Sequence, residues 1–239
     1  MLCLKNQALD LLLPWKCASQ TVRTRLSQLA KDPYQQLFYY NPTLRRVCNQ
    51  HHTYADYLLL PESHQGRKVA TFVRNPYDRV ASGFMQICRD INVIPKLSFQ
   101  DPELKLFVLD QLAQNSQDVI RSGYNINEWF MRLSPYRILD ISSSVFLLHP
   151  VTAWTHVGKK QVDFIGKVEN FEADFVKLKA LFGIGETSME SANQSKLSTS
   201  LSPDSPYRYA TTLEKRTVAK INALFAEDFV RLGYEKIML

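Results

Sequence analysis

No stretch of this chain has the length of a membrane span. The most apolar early run, Ala8 to Pro14, falls far short of the roughly 20 residues a span requires and lacks the layout of a signal peptide. A cytoplasmic protein is therefore expected if the N-terminus is complete. Cysteine is sparse as well. Cys3, Cys17, Cys48 and Cys88 show neither paired metal-ligand spacing nor the density of a secreted disulfide scaffold, so reduced thiols and no metal are expected. The two glycines of a Walker loop, G-x-x-x-x-G-K-[ST], are missing. Basic residues form no massed tract, and no run of aromatics is interleaved with Lys and Arg; nucleic acid is not the expected partner on that pattern. There is no internal repeat.

What is present bounds the rest. With 239 residues, 45% of them hydrophobic, the chain is long enough for one substantial core and short for two, which predicts a single domain over 1–239. Aromatic and charged fractions of 11% and 22% are those of a folded protein. A formal charge of +6 points to a polyanionic partner, either nucleic acid, a membrane surface or a phosphorylated small molecule.

Two strand-loop-helix units stand out. Ala8 to Leu13 has strand length and stops at Pro14, after which Val22, Leu26 and Leu29 recur at helical spacing. Lys68 to Val73 repeats the arrangement, passing through Asn75-Pro76 into a segment with Val80, Phe84, Ile87 and Ile91. Asn75 suits an N-cap and Pro76 the first helical position. Between the units, Thr53-Tyr54-Ala55-Asp56 carries a capping-box signal just after His51-His52. Asp101 to Met131 reads as mostly helical, with Leu104, Phe107, Val108, Leu109 and Leu112 as core. Ser144 to Leu148 and Val162 to Gly166 read as late strands. Helices are expected over Phe171 to Phe182 and Leu213 to Leu232, the latter stopped by Gly233. Between them, the Ser-rich stretch Gly185 to Pro206 reads as a long surface loop. Alternating strands and helices predict an α/β fold with a largely parallel sheet.

A strand, a tight turn and a helix N-terminus together make an anion site, because backbone N–H groups and the positive end of the helix dipole converge there. Lys16-Cys17-Ala18-Ser19-Gln20-Thr21 occupies that junction in the first unit, with Lys16 adding a full charge and Ser19, Gln20 and Thr21 adding side-chain donors. On these residues alone, an ordinary turn with a solvated lysine is the favoured reading. In the second unit, Arg74 ends the strand and Ser82 lies two helical turns on, a cation and a hydroxyl able to hold a phosphate. A strand-end arginine paired with a carboxylate is the alternative.

The run Phe72 to Phe84 resembles the 3′-phosphate motif of sulfotransferases that use 3′-phosphoadenosine-5′-phosphosulfate (PAPS), in their carbohydrate branch. Pro14 to Thr21 is similar to that family's 5′-phosphosulfate loop, although Trp15 separates Pro14 from Lys16 and Gln20 stands where Ser or Thr is usual. Val162 to Phe171 and Ala226 to Tyr234 are similar to its late strand and closing helix. The resemblance implies a three-layer αβα fold of the P-loop NTPase-like sulfotransferase type with a mainly parallel central sheet. It also implies PAPS as co-substrate, adenosine 3′,5′-bisphosphate as product and a hydroxyl acceptor, a carbohydrate or small metabolite. Lys16 would stabilise the leaving group, with Cys17, Ala18, Ser19, Gln20 and Thr21 around the phosphosulfate and Arg74 and Ser82 on the 3′-phosphate. In His51-His52-Thr53, His51 matches the register of the family's base, with His52 as the alternative and Glu62 and His64 behind them. Ser195 and Lys196, in Asn193-Gln194-Ser195-Lys196, resemble a segment that closes over the nucleotide. Two other readings stay open: a kinase-like nucleotide enzyme on a related fold, and a non-enzymatic basic binding module. Oligomeric state is not legible.

Overall fold

Leu9, Leu11 and Leu13 alternate with Asp10 and Leu12 along one strand, and the period of two sends the leucines to one face of a sheet and Asp10 to the other. The structure, a computed structural model, describes residues 1–30, 38–60, 64–91, 102–139, 148–187 and 212–239. In chain order the elements are β1 (Leu2–Leu4), β2 (Leu9–Leu12), α1 (Ser19–Leu26), β3 (Phe38–Asn41), β4 (Arg46–Asn49), α2 (Tyr54–Leu58), β5 (Lys68–Val73), α3 (Pro76–Asp90), α4 (Pro102–Arg121), α5 (Ile126–Arg132), α6 (Pro135–Leu139), β6 (His156–Val157), β7 (Lys160–Gln161), β8 (Phe164–Lys167), α7 (Phe171–Phe182), α8 (Lys215–Leu224) and α9 (Ala226–Leu232). Short 3-10 turns cover Val151–Trp154 and Val168–Asn170. The fold is α/β with a mainly parallel central sheet, consistent with the P-loop-like sulfotransferase type.

The chain divides into two compact units. The first takes Met1–Leu37, Asn41–Arg74 and Ala153–Ser200 and holds the sheet, in the order β1-β2-β5-β8. β1 pairs antiparallel with β2, while β2 with β5 and β5 with β8 pair in parallel. On one face Leu9, Leu11, Leu13, Ala70 and Phe72 pack with Val22 and Leu26 of α1 and Phe175 and Leu178 of α7. Arg25 ties those two helices together: its guanidinium, 7% exposed, grips both oxygens of Glu172 at 2.7 and 2.6 Å and lies over the rings of Phe171 and Phe175. That bidentate fork is the geometry at which an Arg-carboxylate pair is strongest. On the other face Tyr57 of α2 donates to the fully buried Asp10 at 3.0 Å.

The second unit, Phe38–Tyr40, Asn75–Thr152 and Leu201–Leu239, is helical over most of its described length. Asn75 caps α3 by accepting from Tyr77 N, with Pro76 in the first turn. α3 buries Val80, Phe84 and Ile87, and Phe84 packs on Trp129 of α5 with centroids 5.2 Å apart. Asp228, fully buried in α9, accepts from the amides of Val151 and Thr152 at 2.8 Å each, and Arg79 of α3 donates to His149 O at 2.6 Å. Lys220 of α8 donates to the carbonyls of Phe130, Met131 and Leu133, satisfying the open end of α5.

Several expectations change. Phe107 is 44% exposed rather than core, whereas Val108 is buried as expected and Val119 joins it on the buried face of α4. Leu29 lies past the end of α1 and is exposed. The helix expected over Leu213 to Leu232 is two, α8 and α9, broken at Phe225, whose φ of −106° leaves helical geometry. Gly233 does end α9, in the left-handed region. Ser144 to Leu147, of the strand expected at Ser144 to Leu148, and residues 188–206 of the Ser-rich region lie outside the described residues.

Candidate active site

β2 delivers the chain to Pro14, and a turn closed by Cys17 N donating to Pro14 O (3.3 Å) reverses it into α1. Lys16 and Ala18 both have left-handed φ, +64° and +58°, while Cys17 between them does not. Alternating handedness turns successive N–H groups toward one concavity, an anion-binding nest. At the start of α1, Ala18, the N-cap, makes no side-chain cap hydrogen bond, and the first turn has no acidic residue. A helix start of this kind is one at which an anion can be held. Cys17 and Ser19 are buried, Lys16, Ala18 and Thr21 half-buried and Gln20 exposed. The Lys16 ammonium stands 5.9 Å from the centroid of Trp15, so the tryptophan inserted after Pro14 acts as a cation-π platform for the lysine.

Arg74 lies one residue beyond β5, and its Nη1 donates to Lys16 O at 3.4 Å. The strand-end arginine and the loop lysine, 58 positions apart, thereby meet in the first unit. Ser82 is half-buried on α3 in the second unit. Ser195 and Lys196 lie outside the described residues, as does Glu62.

His51 and His52 are buried, at 5% and 2% exposure, directly ahead of α2. The capping box legible at Thr53 is present: Asp56 N donates to Thr53 Oγ1 at 3.2 Å and Thr53 N to Asp56 Oδ2 at 3.0 Å. His51 Nδ1 makes a short hydrogen bond to Leu13 O, the last carbonyl before Pro14. Burial pulls the imidazolium of His51 down to about 3, with the cations of Arg23 and the Met1 amine pushing the same way and the Leu13 carbonyl opposing them. The ring is therefore neutral at physiological pH. Leu13, Trp154 and Arg23 are not singled out by residue pattern; a backbone carbonyl carries no residue-type signal, and Trp154 is 103 positions from His51.

His64 has a different partner. Its Nδ1 stands 3.0 Å from Asp10 Oδ2 on the sheet face that α2 covers. Cys3, Asp10 and His64 bring ligand atoms within 4.8 Å of one another, the spacing of a possible cation site. Arg67 already supplies the positive charge, with Nε 2.9 Å from Asp10 Oδ1 in an ion pair not directed as a hydrogen bond, and Nη2 donating to Leu4 O and Leu9 O at 3.0 Å. Burial and the neighbouring Asp10 push the Cys3 thiol up to about 12.

Among the described residues no helix is long and apolar enough to cross a membrane. Residues 15–235, most of the chain, match the model of a sulfotransferase family. A search of curated proteins gave no match, and neither did a search of solved structures.

Proposed function

Because this chain belongs to the sulfotransferase family, for which sulfuryl transfer is the common chemistry, we propose that it moves the sulfuryl group of PAPS to a hydroxyl of a carbohydrate or small metabolite. The observation that carries this reading is the Lys16 loop, a nest of backbone N–H groups opening onto an uncapped helix start, with Arg74 hydrogen-bonded to its backbone. That donor set fits the two phosphates of an adenosine bisphosphate: many N–H groups converging at one point for the 5′ end, and a guanidinium nearby for a second dianion.

PAPS supplies an activated sulfuryl group whose leaving oxygen belongs to its 5′-phosphate. Lys16 and the amides of Ser19, Gln20 and Thr21 neutralise the charge that grows on that oxygen as the sulfur–oxygen bond breaks. His51 Nε2 takes the proton of the acceptor hydroxyl as that oxygen bonds to sulfur, and His52 is the alternative base. A ring with its imidazolium near 3 is a weak base alone, but anionic phosphates held at the loop after Leu13 would raise it toward the working pH. Arg74 holds the 3′-phosphate, and Cys17 and Ala18 shape the turn.

Isothermal titration of adenosine 3′,5′-bisphosphate, together with transfer of labelled sulfate from PAPS to a pool of saccharides and small alcohols, tests this. Binding is expected in the wild type, weakened at least about tenfold in Arg74→Ala, in line with loss of a charge-assisted phosphate contact. Lys16→Ala should lower turnover by roughly 100-fold or more, as for a lost oxyanion-type donor. A wild-type protein that binds neither nucleotide ends the proposal.

A further inference from the structure

His51-His52 is a two-residue bridge anchored at three points. Behind it, Thr53 is fixed by the capping box with Asp56. At its side, Nδ1 of His51 meets the carbonyl of Leu13. Ahead of it, the indole Nε1 of Trp154 donates to His51 O at 3.2 Å, and Trp154 is fully buried at the end of the turn Val151–Trp154. A carbonyl oxygen can only accept, so a neutral His51 bonded to it carries its proton on Nδ1 and its lone pair on Nε2. Leu13 is also the residue from which the Lys16 loop departs, so one backbone carbonyl sets both the start of that loop and the tilt of the imidazole.

An indole is a donor only, and burial does not by itself guarantee it an acceptor: among the described residues, the Nε1 of the equally buried Trp129 has none. Trp154 donates to the carbonyl of the one residue whose ring orientation the chemistry would need. We infer that Trp154 is a positioning residue for the sulfuryl-transfer base, locking the His51 backbone so that Leu13 O selects the Nδ1–H tautomer and leaves the Nε2 lone pair for the acceptor hydroxyl. This rests on the role proposed above for His51. Among the described residues, Arg23 of α1, the neighbouring His52 and the Met1 amine act on the ring; all three oppose a second proton, so the neutral ring is the form to be oriented.

Long-range 1H–15N NMR of the full-length protein reads the His51 tautomer directly, without an acceptor. The wild type is expected to show a protonated Nδ1 and an unprotonated Nε2. Trp154→Phe, which keeps an aromatic ring and removes the donor, is expected to raise the Nε2–H share by about fivefold, the effect of losing one neutral hydrogen bond, and to shift the His51 titration. Affinity for adenosine 3′,5′-bisphosphate should stay within about twofold, because the substitution leaves the loop amides and Arg74 in place. A wild-type ring protonated at Nε2 overturns the inference even if the variant fails to fold. So does a folded Trp154→Phe protein with unchanged tautomer and titration. Failure of the wild type to bind the bisphosphate would instead overturn the proposed function, while the tautomer remained readable.

Discussion

Lys16 and Ala18 hold the left-handed backbone that L-residues adopt at a cost of about 1–2 kcal/mol each. The cost is local to the candidate loop, where it curls the amides inward. Ala18→Gly relieves it at a position whose side chain makes no cap hydrogen bond. A gain of about 0.5–1 kcal/mol is expected, the steric relief being partly offset by the greater freedom of glycine in the unfolded chain. Urea denaturation would show it as a raised midpoint at unchanged slope; a lowered midpoint would mean that the Ala18 methyl contributes packing that outweighs the strain. The residue types of this loop are legible in the sequence, but its handedness is not, since neither strained position is a glycine. Tertiary contacts flank the loop, Leu13 O with His51 and Lys16 O with Arg74.

Among the elements, β8 is held to β5 by a close fit: Gly166 lies opposite Phe72 in the ladder, and a Cβ there would stand 2.5 Å from Phe72 Cε1. Phe72 is fully buried, packed against Phe164, Phe171 and Phe175, so its ring has little room to yield. Gly166→Ala is expected to cost about 1–3 kcal/mol through overpacking, read as a fall of several degrees in Tm; an unchanged Tm would show that the aromatic cluster repacks freely. Where structure is dictated by neighbours in sequence, it is legible. The Asn75-Pro76 start of α3, the Thr53-Asp56 box, β5 and α7 all depend on caps and periodicity within a few residues. β1 is three residues whose strand character comes from pairing with β2, and the break between α8 and α9 falls at Phe225, without the glycine or proline that would mark it. Phe107 has the right spacing for the core, but helical periodicity fixes which residues share a face, not which face is covered. The candidate site divides along the same line: Lys16 and Arg74 stand out as cations at strand ends and His51 by its resemblance to the family's register, while Leu13 O and the Trp154 indole act on or through backbone carbonyls that no residue pattern reveals.

For the molecule as a whole, each unit contains a histidine that burial keeps neutral, His51 in the first and His149 in the second. An unfolded histidine takes up its proton near pH 6.5, whereas folded His51 does so only near 3. Between those values the unfolded chain binds more protons, so stability present above about pH 6.5 is lost as the pH falls toward 3, by an amount on the order of a few kcal/mol. Chemical denaturation at neutral pH and at about pH 4.5 should show a marked drop that His51→Gln and His149→Gln together reduce. Equal pH sensitivity in the double variant would place the effect elsewhere.

β1 lies at one end of the described ladder, yet its three residues are no more than 9% exposed. A terminal strand so short and so well covered gives a foreign chain no template on which to add itself. The sheet that carries the Lys16 loop is sealed along that margin against the strand-by-strand growth that leads to aggregates.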